Sequence, residues 1–294
     1  MNSQDKQKAL KAGEIAKQVR EFAKSIVKQN MPLLEIAEKI ENKIIELKGK
    51  PAFPVNLSIN EIAAHYTPAY NDETKASGLL KVDFGVSVDG FVADTAFSLD
   101  LENSKENKKL IEASETALKN AIQKTKNGIS LGEIGKTIQN TIEEEGFSPI
   151  INLSGHEMRE YDLHAGITIP NIDNKMTEKI TRGLYAIEPF ATSGSGKVVE
   201  GKSSGIYLLT DDRNVRNPEA RKILNFIIKE YKTLPFCSRW IVKEFGIKSL
   251  FALRQLEDNG NLHQYPQLVE ISKAKVSQAE DTILIDNKVI VTTE

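Results

Sequence analysis

A single cysteine in 294 residues, Cys237, leaves no partner for an internal disulfide. The fold is therefore held by packing, and a reducing compartment suits the chain. Cys237 itself reads as a small buried hydrophobe. No apolar run approaches the roughly 18 residues that a bilayer span needs. The opening MNSQDKQKALKAGEIAK is polar and lacks the apolar centre of a secretion signal. Charge of one sign is also lacking, with 39 basic residues against 41 acidic ones. Without a basic excess, general roles on DNA or at a membrane surface are disfavoured. Short repeats and low-complexity linkers are absent. A share of 40% apolar residues is that of an ordinary soluble protein, and the expected location is cytoplasmic.

What is present begins with two helix pairs around a hairpin. Residues from about 5 to 28 set Ile15, Val19, Phe22 and Ile26 at helical spacing. A second helix covers about 33–48 and closes before Pro51 and Pro54. A third, near 104–127, ends at Gly128. The fourth opens on a capping box of Ser130 and Glu133, buries Ile134, Ile138 and Ile142, and stops at Gly146. Between the pairs, LLKVDFGVSVDGFVADTAFSLD (79–100) reads as two strands joined at Asp89-Gly90, a strong two-residue turn signal. Strand-like runs recur near 183–191, 267–277 and 282–292. From 210 to 260 the character turns helical, starting with Asn217-Pro218 as N-cap and first helical residue. The expected fold is α/β (α+β): one domain over 1–294, interrupted by a helical module at about 205–266.

Two aspartates break the apolar hairpin. A turn at Asp89-Gly90 pairs Val88 with Phe91 and hence Asp83 with Ala96, which makes Asp94 a diagonal neighbour of Asp83 on one face. Their Cα atoms are then about 7–8 Å apart. Charged residues in such strands are costly unless paired or bound to metal. Carboxylates so placed can share cations, and two-metal hydrolases hold their ions about 3.5–4 Å apart. Two aspartates on a solvated hairpin face would give the same pattern. Further residues bear on the choice. His156 and His164 share the Gly-flanked loop NLSGHEMREYDLHAG and are two of only four histidines. Glu188 ends an apolar strand before Pro189, and Glu280 opens the last one. Singly, each is equally an ordinary hydrogen-bonded or ion-paired residue. Together, one histidine and four carboxylates make an oxygen-rich set suited to paired Mn, Co, Fe or Zn ions.

Five blocks resemble the type II methionine aminopeptidases in their short archaeal form. They are FPVNLSINEIAAHYTP (53–68), KVDFGVSVDGFVADTAFS (81–98), NLSGHEMREYDLHAGITIPN (152–171), AIEPFATSG (186–194) and QAEDTILI (278–285). ALRQLEDNGNLHQYPQL (252–268) matches as well, and it closes the helical insertion of that type. The resemblance implies a pita-bread fold of two related halves. It also implies two divalent metals (Co, Mn, Fe or Zn) with Asp83, Asp94, His156, Glu188 and Glu280 as ligands. Asp83 would hold one ion, Asp94 and Glu280 would bridge both, and His156 and Glu188 would complete the second. His65 and His164 would contact substrate, Glu188 would act as general base, and Phe53 and Tyr265 would wall a methionine pocket. Ser87 and Met158 depart from the usual pattern, at non-ligand positions.

By the same resemblance, a metal-bridging water would attack the first peptide bond of nascent polypeptides that carry an N-terminal methionine and a small second residue. The ribosome is the implied partner and the protein a monomer, with no membrane or DNA partner. Prolidases and creatinases share the fold, as do non-enzymatic relatives that bind ribosomes or RNA. The helical insertion and 53–68 favour the aminopeptidase, and the five ligands argue against the last group.

Overall fold

The computed structural model describes residues 1–294. Two long N-terminal helices, α1 (Ser3–Ile26) and α2 (Leu33–Glu46), cover a four-stranded sheet. Asn2 caps α1 by accepting from the Asp5 N–H, which satisfies one of the helix's orphan donors. Alanines 9, 12, 16 and 23 line the buried face of α1 with Ile15 and Val19. These small side chains let the helix lie close on the sheet. Phe22 and Ile26 stay half-buried.

The first sheet contains β1 (Lys50–Pro51), β2 (Asn56–Ile59), β4 (Leu79–Val88) and β5 (Phe91–Asp100), while β3 (Ile62–Ala64) belongs elsewhere. The β4–β5 hairpin turns at Asp89-Gly90 with the expected register: Val88 faces Phe91, Asp83 faces Ala96, and Gly85 faces Asp94. Asp89 and Gly90 both have positive φ, as a type I′ turn requires.

A second helix pair follows, α3 (Lys105–Lys124) and α4 (Leu131–Glu144). The third helix ends at Thr125, earlier than the glycine signal predicts, and Gly128 lies in the turn beyond it. The serine half of the predicted box forms, since Ser130 Oγ accepts from the Glu133 N–H. Ile134, Ile138 and Ile142 of α4 are fully buried with Leu110 and Ala117 of α3. Burial on this scale stabilises by roughly 1.5–3 kcal/mol per large apolar side chain.

This pair covers a five-stranded sheet, ordered β16-β15-β9-β7-β8. Its strands are β7 (Ser154–Met158), β8 (Thr168–Pro170), β9 (Gly183–Ile187), β15 (Asp281–Ile285) and β16 (Val289–Val291). A smaller sheet joins β6 (Ser148–Pro149), β10 (Phe190–Thr192) and β14 (Val276–Gln278). Each of the three strand-like runs of the second half is thus broken in two. The breaks fall at Glu188-Pro189, at the turn after Glu270, and at the turn before Lys288, where local geometry overrides a continuous apolar pattern.

The remaining sheet is ordered β12-β11-β13-β3. Strand β11 (Val198–Leu209) carries the chain out to the helices α5 (Pro218–Glu230), α6 (Ser238–Phe245) and α7 (Ser249–Asp258), with β12 (Phe236–Cys237) between the first two. Strand β13 (Leu262–Glu270) brings it back, antiparallel to β11 and reaching β3. The three helices share an apolar core of their own around Ile223, Leu224, Ile227, Phe236 and Leu253. Cys237 is buried and unpaired. No helix is long and apolar enough to cross a membrane.

Candidate metal centre and substrate cleft

One cavity of about 330 Å³ brings together every site residue expected from the sequence. Asp83, Asp94, His156, Glu188 and Glu280 line it together with Phe53, His65, His164 and Tyr265. Three of the five candidate ligands lie within strands and two lie just beyond strand ends. Asp83 lies on β4 and Asp94 on β5, while Glu188 follows β9 and Glu280 precedes β15. His156, expected in a loop, stands instead within β7. Gly155 explains the packing there: a Cβ at that position would lie 2.3 Å from the Ala186 carbonyl oxygen on β9. Proline at 189 restricts Glu188 to extended backbone and turns the chain away from the sheet.

The polar atoms converge. His156 Nε2 is 3.6 Å from Asp94 Oδ2 and 3.8 Å from Glu188 Oε1. One ligand atom each of Asp94, His156 and Glu280 lies within 4.8 Å of the others. Asp94, His156 and Glu280 are buried, at 3%, 6% and 2% exposure, while Asp83 and Glu188 are partly open to the cavity. The amide of Gln278 reaches Glu188 Oε2 at 3.5 Å and Glu280 Oε2 at 3.4 Å.

The electrostatics are lopsided. Burial pushes the Asp83 carboxyl up to about 7. Asp94, Glu188 and Glu280 are driven well above the carboxylate range, by burial first and then by the charge of neighbouring acids: Asp83 on Asp94, Asp94 and then Asp83 on Glu188, and Asp94 and then Glu188 on Glu280. His156 is held down to about 3 by burial and then by His164, so its ring is neutral. No lysine or arginine pairs with the four acids; His156 is the only basic side chain within 4 Å. Asp94 Oδ1 and His156 Nδ1 are buried without any hydrogen-bond partner. Four carboxylates packed together without a counter-charge can all be ionised only if cations enter among them; otherwise protons must neutralise part of the cluster. The donor set, four carboxylates and a neutral imidazole, fits divalent transition metals.

The wall residues are placed with equal definition. Phe53 lies over Gly85, where a Cβ would fall 2.5 Å from the ring, and Gly85 is the cross-strand partner of Asp94. His65 has φ +65, the left-handed region that few residues other than glycine adopt. Its ring meets Tyr265 edge-on, with centroids 5.5 Å apart. His164 packs edge-on against His156 at 4.6 Å.

Sequence reasoning missed Asn56 and Gln278, which also line the cavity. Asn56 is the cross-strand partner of Asp83 on β2, and its buried Oδ1 has no partner. Gln278 lies two residues before Glu280, so strand alternation was the signal that pointed to it.

Comparison with known proteins bears on the same features. The model of metallopeptidase family M24 matches residues 7–231. A methionine aminopeptidase of Pyrococcus abyssi is 49% identical over 299 residues, covering 99% of this chain and 100% of that protein. Among solved structures, a thermophilic Arx1 aligns with TM-score 0.84 at 16% identity, covering 99% of this chain and 91% of that one. The methionine aminopeptidase of Thermotoga maritima aligns with TM-score 0.73 at 20% identity, covering 100% and 98%. At such identities the structures establish the pita-bread fold and nothing finer. The family match and the archaeal relative reach further: the chain belongs to metallopeptidase family M24 and, within it, to the methionine aminopeptidases.

Proposed function

We propose that this protein removes the N-terminal methionine from nascent polypeptides, preferring a small second residue, with two divalent cations (Co, Mn, Fe or Zn) held by Asp83, Asp94, His156, Glu188 and Glu280. One observation carries the reading: four carboxylates, two of them buried, and a neutral histidine line one cavity with no lysine or arginine among them. Two dications would balance four carboxylates, whereas one would leave a net negative charge in a dry site. Asp83 would serve one ion, Asp94 and Glu280 both, and His156 and Glu188 the other. A monomer in the cytoplasm, meeting its substrates at the ribosome, belongs to the same reading.

Bound divalent ions supply Lewis acidity, which makes a water acidic enough to react near neutral pH and polarises the scissile carbonyl. The chain's residues do the rest. Glu188, at the cavity edge of the cluster, takes the proton from the attacking water and returns it to the leaving amine. His65 Nδ1 lies 3.1 Å from the Pro266 carbonyl oxygen, which can only accept. Burial lowers this ring to about 4, so it is neutral at pH 7, with the proton on Nδ1. Its Nε2 then carries a lone pair and can accept from a substrate N–H. His164, also lowered by burial, is the ring left to donate to the developing oxyanion. Phe53 and Tyr265 offer the apolar, polarisable surface that a thioether side chain prefers.

The segment at about 205–266 is read as a module inserted into a single catalytic domain over 1–294. It would form one wall of the cleft and bring Tyr265 to the methionine side chain.

The test is turnover by metal-stripped protein with Mn, Co, Fe or Zn restored separately. Met-Ala-Ser should be cleaved only with metal, and Ala-Pro and creatine should not be consumed. Faster turnover of Ala-Pro or creatine, or undiminished cleavage in chelator, would overturn the assignment.

A further inference from the structure

The two sheets meet at the metal centre through one main-chain bridge. Ala96 on β5 donates to the Glu280 carbonyl at 3.3 Å, and Glu280 donates to the Ala96 carbonyl at 3.0 Å. Two positions away on either side, an antiparallel ladder would pair Asp94 with Thr282 and Ser98 with Gln278. Direct main-chain pairing fails there, and side-chain hydroxyls stand in. The Asp94 N–H donates to Thr282 Oγ1 at 2.8 Å, and that hydroxyl donates to the Asp94 carbonyl at 2.8 Å. In mirror fashion, the Gln278 N–H donates to Ser98 Oγ at 2.9 Å, and that hydroxyl donates to the Gln278 carbonyl at 2.8 Å. All four of these residues are buried.

A guanidinium closes the seam from behind. Arg20 Nη2 on α1 donates to the Glu280 carbonyl at 2.7 Å and also to Asp281 Oδ1 and Thr95 Oγ1. Thr95 Oγ1 reaches the same carbonyl at 3.0 Å. Asp281 in turn accepts from Thr293 Oγ1 at 2.7 Å. The backbones of Asp94 and Glu280, which come from different sheets, are thereby fixed against each other by groups that never face the cavity.

We infer that Thr282 and Ser98 are positioning residues: their hydroxyls join β5 to β15 and to β14 across the missing ladder positions on either side of the Ala96–Glu280 bridge and, with Arg20, hold the Asp94 and Glu280 carboxylates at the spacing that divalent cations require. The inference rests on reading the five residues as a metal site. A hydroxyl that donates and accepts at once spans two strands too far apart for N–H to carbonyl contact, and no apolar residue of similar size can do this. Outer groups that orient metal ligands typically change metal affinity 10- to 100-fold when removed. Thr282 fixes the main chain of Asp94, whose carboxylate is proposed to bridge, whereas Ser98 fixes the main chain of Gln278, whose side-chain amide only neighbours the ligands, so the larger effect belongs to Thr282.

The experiment is calorimetric Mn2+ titration of stripped protein, with kcat and KM on Met-Ala-Ser. Thr282→Val should weaken Mn2+ binding at least tenfold and lower kcat, leaving KM within about twofold, and Thr282→Ser should restore the affinity. Ser98→Ala should weaken Mn2+ binding about threefold, a smaller share of the same range. Wild-type Mn2+ affinity in Thr282→Val, whatever its melting temperature, overturns the inference, as does a loss that serine fails to restore. If Thr282→Val does not fold, unchanged Mn2+ affinity in Ser98→Ala overturns it, and a weakened one supports it. Absence of Mn2+ binding by the wild type would instead overturn the metal-site reading itself.

Discussion

The cost of burying a carboxylate is resolved in opposite ways at two places in this molecule. At the contact between α2 and α6, Glu41 accepts both guanidinium nitrogens of Arg239 at 2.7 and 2.8 Å. Trp240 Nε1 donates to the same carboxylate at 2.9 Å, and Arg239 Nε donates to the Pro68 carbonyl at 3.0 Å. Both carboxylate oxygens and all three guanidinium nitrogens there have a partner within the chain. In the cavity beside the β5–β15 seam, four carboxylates gather around a neutral histidine, and no lysine or arginine pairs with any of them. A buried charge that is fully answered ties two helices together. One that is not answered is kept for something that arrives from outside.

The sharpest way to break the contrast is Arg239→Met. Glu41 would be left buried and unpaired, and loss of one partner of such a pair costs about 3–5 kcal/mol. Urea denaturation should show that loss, while kcat per folded molecule stays within twofold of wild type. A loss below 1 kcal/mol would mean that the Glu41 site is not self-contained.

Asp94→Asn is the reciprocal test at the seam. Removing one of the mutually repelling charges should leave the stripped protein as stable as wild type or more so. Turnover should fall at least 100-fold, which is about 2.7 kcal/mol of barrier, with metal lost on purification. Near-native turnover in metal-replete buffer would show that this charge is not needed.

Smaller effects sharpen the boundary between cleft and module. Tyr265→Ala should cost about 1–3 kcal/mol in kcat/KM for Met-Ala-Ser, the range for pocket groups that sense one side chain. Stability should change little, because the ring is edge-on to His65 and His263 at the cleft and not in the module's core. A large fall in stability with unchanged kcat/KM would place Tyr265 with the module. The least effect is expected at Cys237. Burial pushes this thiol up to about 12, so a thiol reagent at pH 8 should leave the native protein unmodified and fully active, and react only after unfolding.

How much of this was legible beforehand depended on the range of the interaction. The β4–β5 register follows from Asp89-Gly90 alone, because a two-residue turn leaves one pairing and strand alternation then puts Asp83 and Asp94 on one face. Helix starts at Ser130 and Asn217 were readable for the same reason: a cap bonds within three residues. His156 was misplaced in a loop because its strand is short, and a glycine inside a strand looks like a turn until the close approach of β9 is known.

The sequence by itself determined the helix pairs, the hairpin and a list of chemically apt residues, since each is encoded in contacts a few positions apart. Only the tertiary structure decided that Glu188 and Glu280, separated by more than ninety residues, meet Asp94 across a seam held by Thr282, Ser98 and Arg20. No local pattern can specify which hydroxyl will replace a missing ladder bond. That depends on how far apart two separately folded sheets come to rest, which is fixed by the packing of the helices and cores behind them.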